Sequence, residues 1–186
     1  MSRPVSREFF AKPTLEVAPK LIGKILDANG VSGRIVEVEA YTDDPASHAY
    51  RRTKRSAIMF DTYGHVYVYF IYGTNHCLNF TTDRKHVGAI LIRAVEPLTG
   101  ISLMQKRRGV DDLRLLGNGP GKLCQAFAID LAFTGSVIGD RIKLYHGKAG
   151  EIASGPRIGI TKAADLPWRF WEEGSLFVSR RMKYEL

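Results

Sequence analysis

A chain of 186 residues, 45% hydrophobic and 25% charged, has the composition of a packed globular domain and excludes both disorder and a fibrous repeat. A chain this long buries roughly 70% of its unfolded surface. It therefore needs no staple, and its two cysteines, Cys77 and Cys124, match neither a disulfide framework nor a CxxC motif. The 27 Lys and Arg against 19 Asp and Glu give a formal net charge of +8, which points to a polyanionic partner, nucleic acid before any other.

The opening MSRPVSREFF lacks the apolar stretch of a secretory peptide, and no later apolar run approaches the roughly 20 residues that span a bilayer. A cytoplasmic protein is expected, nucleoid-associated if prokaryotic, with no membrane partner. Apolar positions at Val17, Ala18, Leu21, Ile22 and Ile25 predict a helix from Thr14 to about Ile25. Arg34 to Tyr41 alternates, with Val36, Val38 and Ala40 on one face and Glu37, Glu39 and Tyr41 on the other, as in a half-buried strand. Val66 to Tyr72 and His76 to Thr82 flank Gly73-Thr74-Asn75 and predict a β-hairpin.

Gly88 to Val95 reads as a buried strand stopped by Glu96-Pro97, followed by a helix from about Leu98 to Lys106. Pro120 suits the first position of a helix carrying Leu123, Phe127 and Ile129. Further strands are predicted around Arg141 to Tyr145, Arg157 to Thr161 and Leu176 to Arg180. No repeat or linker divides the chain, so residues 1–186 are expected to form one α+β domain around a mostly antiparallel sheet.

Glu37 and Glu39 stand two apart on one strand face, about 7 Å from each other. Paired carboxylates can do acid–base work, although the same spacing also describes a plain solvent-exposed face. The five histidines show no metal-ligand spacing, and no GxSxG elbow marks a serine nucleophile. No metal and no cofactor are expected. Gly117 to Lys122 is not a Walker A loop, yet a glycine-rich helix start with Gly121 and Lys122 can take a phosphate as readily as it can form a turn. Tyr67, Tyr69 and Tyr72 crowd one strand, either as core aromatics or as a stacking platform for bases. Basic runs at 51–55, 106–108 and 180–183 offer phosphate contacts or solvated faces.

RIVEVEAY at 34–41, DPASHAYR at 44–51, HVYVYFIYG at 65–73, CLN at 77–79, AILIRAVEPLTG at 89–100, GPGKLCQAF at 119–127 and PWRFW at 167–171 occur in order across nearly the whole chain. Together they resemble the alkyladenine (3-methyladenine) DNA glycosylase family, the mixed α/β type unrelated to helix-hairpin-helix glycosylases. The resemblance implies a curved antiparallel sheet with a protruding hairpin, similar to the C-terminal domain of formyltransferases. It implies a monomeric, monofunctional repair enzyme acting on double-stranded DNA that contains alkylated purines.

By position, the resemblance makes Glu39 the base that activates water and Arg93 the arginine beside that water and the adjoining phosphate. Tyr41, His48 and Tyr69 become the walls that sandwich the flipped base, and Asn79 the pocket-floor amide. Tyr72 becomes the residue that fills the vacated space in DNA, and the backbone at Ile158 the carbonyl that holds the water. The Thr74-Asn75 pair after Gly73 departs from the larger groups of vertebrate members. Two alternatives stay open: a non-catalytic binder of damaged or unpaired nucleic acid, and a group-transfer enzyme, for which no cofactor motif is apparent.

Overall fold

In the computed structural model, residues 3–71 and 73–179 are described. Tyr72 and the basic run from Arg180 therefore lie outside the described residues. Helix α1 (Thr14–Leu21) is shorter than its periodicity suggests, because Gly23 at φ +83° breaks it and Ile25 opens strand β1 (Ile25–Ala28). Asn29 and Gly30, both at positive φ, turn the chain into β2 (Val31–Tyr41). After a short 3-10 turn at His48–Tyr50 and helix α2 (Ala57–Asp61) come β3 (Val66–Ile71) and β4 (Asn75–Thr81). Strand β5 (Ala89–Thr99) then leads through Gly100 into α3 (Ile101–Arg108), and α4 (Pro120–Phe127) follows. Three short strands close the fold: β6 (Lys143–Tyr145), β7 (Ile152–Gly155) and β8 (Arg169–Glu172).

All strand pairs are antiparallel, in the order β3-β4-β5-β2-β1-β6, with β7 on β8 and β8 on β2. The result is a single α+β domain built on a curled antiparallel sheet with a β3–β4 hairpin at one end, as expected. Several expected boundaries differ. β5 continues through Glu96-Pro97, because the register against β2 slips beside Gly33, where a residue without an N–H is tolerated. The helix after it starts at Ile101, and α4 ends before Ile129, which packs beyond the helix. Residues 157–161 and 176–179 are loop and turn rather than strand, held by side-chain bonds instead of a ladder.

Two compensating irregularities shape the centre. Between Ile35↔Val95 and Val38↔Ile92 the register skips first Val36 and then Arg93. The extra residue in each strand restores the pairing, and the Arg93 side chain reaches Glu37 and Glu39. Val38, Ala40, Ile90 and Ile92 face a core completed by Phe10, Phe80 and Phe127, with α1 and α4 packed against the sheet. Fully burying a side chain of this size stabilises the fold by about 1.5–3 kcal/mol.

Candidate active site

The acidic face of β2 is not exposed: Glu37 and Glu39 are both 0% accessible, covered by β8 and the loop after β7. Their surroundings differ. Glu37 accepts at Oε1 from Arg93 Nε (3.1 Å), Arg169 Nε (2.7 Å) and the Ser179 hydroxyl (2.8 Å), and at Oε2 from the Ser179 N–H (2.5 Å). Glu39 accepts at Oε2 from the Tyr41 hydroxyl (2.8 Å), with Arg93 Nη1 at 3.3 Å, and at Oε1 from the Ile158 N–H alone (2.7 Å). A carboxylate oxygen has two acceptor sites. Among the described residues, Glu39 Oε1 thus keeps one for a further donor.

Glu39 does not itself line a cavity, but its partners Tyr41, Arg93 and Ile158 line one of about 520 Å³, a usual size for a small-ligand site. Tyr41, His48, Tyr69, Asn79, Arg93 and Ile158 line it together, and Gly121 and Lys122 form part of its rim. β2 delivers Tyr41, the 3-10 turn His48, β3 Tyr69 and β4 Asn79, while α4 contributes the glycine-rich start. The His48 and Tyr69 ring centroids are 4.9 Å apart at 71°, and His48 Nδ1 lies 3.0 Å from the Tyr67 hydroxyl. Both N–H groups of Asn79 go to backbone carbonyls, of Tyr67 (3.2 Å) and Cys77 (3.1 Å), so among the described residues its side-chain oxygen has no donor. The Lys122 ammonium donates to Asn118 at 2.9 Å. A Cβ on Gly121 would fall 2.5 Å from Asn75 Oδ1, so this glycine lets the hairpin seat on α4.

Burial, and then the charge of Glu39, pushes the Tyr41 phenol far above its ordinary range, which keeps its hydroxyl protonated and donating. Burial, and then neighbouring Arg55, lowers the His48 pKa below 6.5, so the imidazole is neutral at neutral pH. Burial works against the charge on Arg93, yet the adjacent carboxylates raise its pKa overall.

Three residues behind the cavity were not legible in the sequence as site residues. Arg157 pairs with Asp44 and stacks beneath Tyr41, Arg169 neutralises Glu37, and Ser179 caps the same carboxylate. Arg169 sits in the PWRFW segment, but nothing local marks its role. The second basic run is also partly structural, since Arg107 binds the carbonyls of Ala126 and Asn29, and Arg108 binds Gln125. Among the described residues, no group of three His, Cys, Asp or Glu could hold a metal ion, and no helix is long and apolar enough to cross a membrane.

A curled antiparallel sheet thus carries an aromatic cavity beside a buried, arginine-flanked carboxylate. The family model of methylpurine-DNA glycosylases matches residues 8–176. A protein of Rhodopseudomonas palustris (strain HaA2) is 50% identical over 181 residues, covering 95% of this chain and 90% of that one. One of Agrobacterium fabrum is 47% identical over 183 residues (96% and 94%), and one of Methanoculleus marisnigri 46% over 186 (93% and 97%). All three are provisionally named 3-methyladenine DNA glycosylase. The chain belongs to the methylpurine-DNA glycosylase family, whose members are monofunctional DNA repair glycosylases.

Proposed function

We propose that the chain, acting as a monomer, flips a 3-methyladenine-type alkylated purine out of duplex DNA into this cavity and hydrolyses its N-glycosidic bond. The observation that carries the reading is Glu39: a fully buried carboxylate, oriented by Tyr41, Ile158 and Arg93 beside an aromatic cavity, with one acceptor site open at Oε1. In that position Glu39 takes the proton of a single water as the water attacks the anomeric carbon. N-alkylation makes the purine cationic, so the base stacks favourably on the electron-rich faces of Tyr41 and Tyr69 and departs without protonation. The Asn79 oxygen accepts from a purine N–H. Arg93 supports the Glu39 charge from the other side and lies near the phosphate of the flipped nucleotide. The amide at Ile158 orients the carboxylate, and its carbonyl is assigned to the water.

Flipping costs a few kcal/mol of unstacking, offset when a side chain fills the gap. Tyr72 is assigned that role from its place in the sequence, directly before Gly73. The N-terminal turn of α4 with Gly121 and Lys122 is assigned to a DNA phosphate.

The test is release of free base from a duplex carrying one 3-methyladenine, under single-turnover conditions. Release with an intact abasic strand is expected. Tight lesion binding without release would instead identify a non-catalytic binder.

A further inference from the structure

Six charged side chains converge behind the cavity: Glu37, Glu39 and Asp44 against Arg93, Arg157 and Arg169. The first two carboxylates share Arg93, and Arg169 pairs with Glu37. Asp44 belongs to Arg157 alone, accepting from its Nη2 at 2.8 Å and its Nη1 at 3.1 Å. The pair is sealed, with side-chain exposures of 0% for Arg157 and 4% for Asp44. Further bonds to the carbonyls of Ala40 (3.1 Å) and Ala163 (3.4 Å) fix the guanidinium.

The placement of this guanidinium is unusual. Its carbon lies over the Tyr41 ring, 4.7 Å from the centroid, and over that of Trp168 at 5.0 Å, so it is packed on two aromatic rings. Tyr41 lines the cavity and Arg157 does not, so the cation occupies the rear of a ring whose front is open to ligand. A positively charged base stacked on that front would lie roughly 9 Å from the guanidinium, since stacked rings add about 4.5 Å between centroids. The layer between is aromatic and desolvated. At an effective dielectric near 20, two bare positive charges at that distance repel enough to cost on the order of tenfold in affinity. The Asp44 carboxylate cancels that field. Arg55, stacked on Tyr69 at 5.3 Å, and Lys122 on the rim add positive charge to the same region, which makes the cancellation more consequential.

We propose that Asp44 determines specificity at a distance: by neutralising Arg157 behind Tyr41, it lets the front of that ring accept a cationic base, and so sets the preference for positively charged alkylated purines over neutral ones. The inference rests on the assignment of the cavity to an extrahelical alkylated purine. Asp44 is a positioning residue, since it touches the base only through the Arg157–Tyr41 stack.

The test compares the affinity of two duplexes, one with cationic 3-methyladenine and one with its neutral isostere 3-methyl-3-deazaadenine, measured on Glu39→Gln protein so that neither is consumed. Asp44→Asn should lower the cation-to-neutral affinity ratio on the order of tenfold, mostly through the cationic lesion. Arg157→Gln, which leaves the carboxylate without its partner, should shift the ratio in the opposite direction. A purely structural pair would lower both affinities by the same factor in both variants, and that result overturns the inference. If Asp44→Asn does not fold, the direction of the Arg157→Gln shift decides the matter alone. If Glu39→Gln protein with Asp44 and Arg157 intact binds neither lesion better than undamaged duplex, the purine-pocket assignment fails; if it binds both and the ratio does not respond to either variant, only the role of Asp44 fails.

Discussion

The Ile158 N–H donates to Glu39 Oε1 across 119 residues of sequence, at 2.7 Å. The segment expected to hold a water through its carbonyl therefore also holds the carboxylate itself. With the Tyr41 hydroxyl on the other oxygen, Glu39 is fixed at both ends of its carboxylate plane before any ligand enters.

That fixation sets the outcome of Glu39→Gln. An amide keeps the shape but cannot take the proton of a water, so base release should fall by about 10²–10⁴-fold. Lesion binding should change little. Single-turnover release and gel-shift affinity on the same duplex check both halves, and retained release would move the role to another acid.

Glu37 should behave in the opposite way. Its carboxylate is held by Arg93, Arg169 and Ser179, of which only Arg93 lines the cavity, whereas the partners of Glu39 all line it. Glu37→Ala strips Arg169 of its carboxylate partner and Arg93 of one of two, and breaking such a buried pair costs about 3–5 kcal/mol. Urea unfolding should show a midpoint lowered accordingly. An unchanged midpoint would mean that solvent reaches the cluster.

His48 should leave a signature in the pH dependence of stability. Burial and the charge of Arg55 hold its folded pKa below the ordinary 6.5, so the unfolded chain binds this proton more readily. Its contribution is therefore complete above 6.5 and is lost as pH falls from 6.5 through the lowered folded value. His48→Gln should flatten that limb of a melting-temperature profile. Identical acid limbs in both proteins would show that the imidazole takes up its proton without penalty.

DNA affinity should fall with salt, because each neutralised phosphate releases condensed counterions with a log–log slope near −0.9 per contact. Of the run at 51–55, Arg52 is paired with Asp61 and Arg55 lies over Tyr69, whereas Arg107 and Arg108 are tied to the protein. Arg51→Ala and Lys54→Ala should each make the slope shallower by about one unit at most. A flat line across the salt series would separate the +8 formal charge from DNA binding altogether.

Much of this arrangement is legible in the sequence. The alternation from Glu37 to Tyr41 gives the side chains that share a face, and Gly73 between two aromatic-rich runs marks the hairpin. At Val36 the alternation fails, because the bulge there puts Ile35 rather than Val36 in the core with Val38 and Ala40. Burial of the acidic face is not legible, since alternation alone describes a sheet with one wet side. Here the second side is covered by β8, a four-residue strand with no periodicity of its own. Arg157 to Thr161 looks like a strand because Ile158 and Ile160 alternate with glycine. The segment is instead a loop pinned by an ion pair to Asp44, 113 residues earlier. Such pairings depend on tertiary placement, and no local pattern encodes them.

The separations of these contacts have a kinetic meaning. Glu39 meets its amide 119 residues away, Asp44 its guanidinium 113 away, and Glu37 its serine 142 away. Contacts this distant close large loops before they return any stabilisation, and they form late in a slow folding reaction. No partly folded chain with only the β3–β4 hairpin and α4 in place would hold an oriented Glu39. Enzymatic competence and the cooperative unit of folding are thus one and the same, and refolded chains should regain hydrolysis at the rate at which Trp168 and Trp171 regain their native fluorescence.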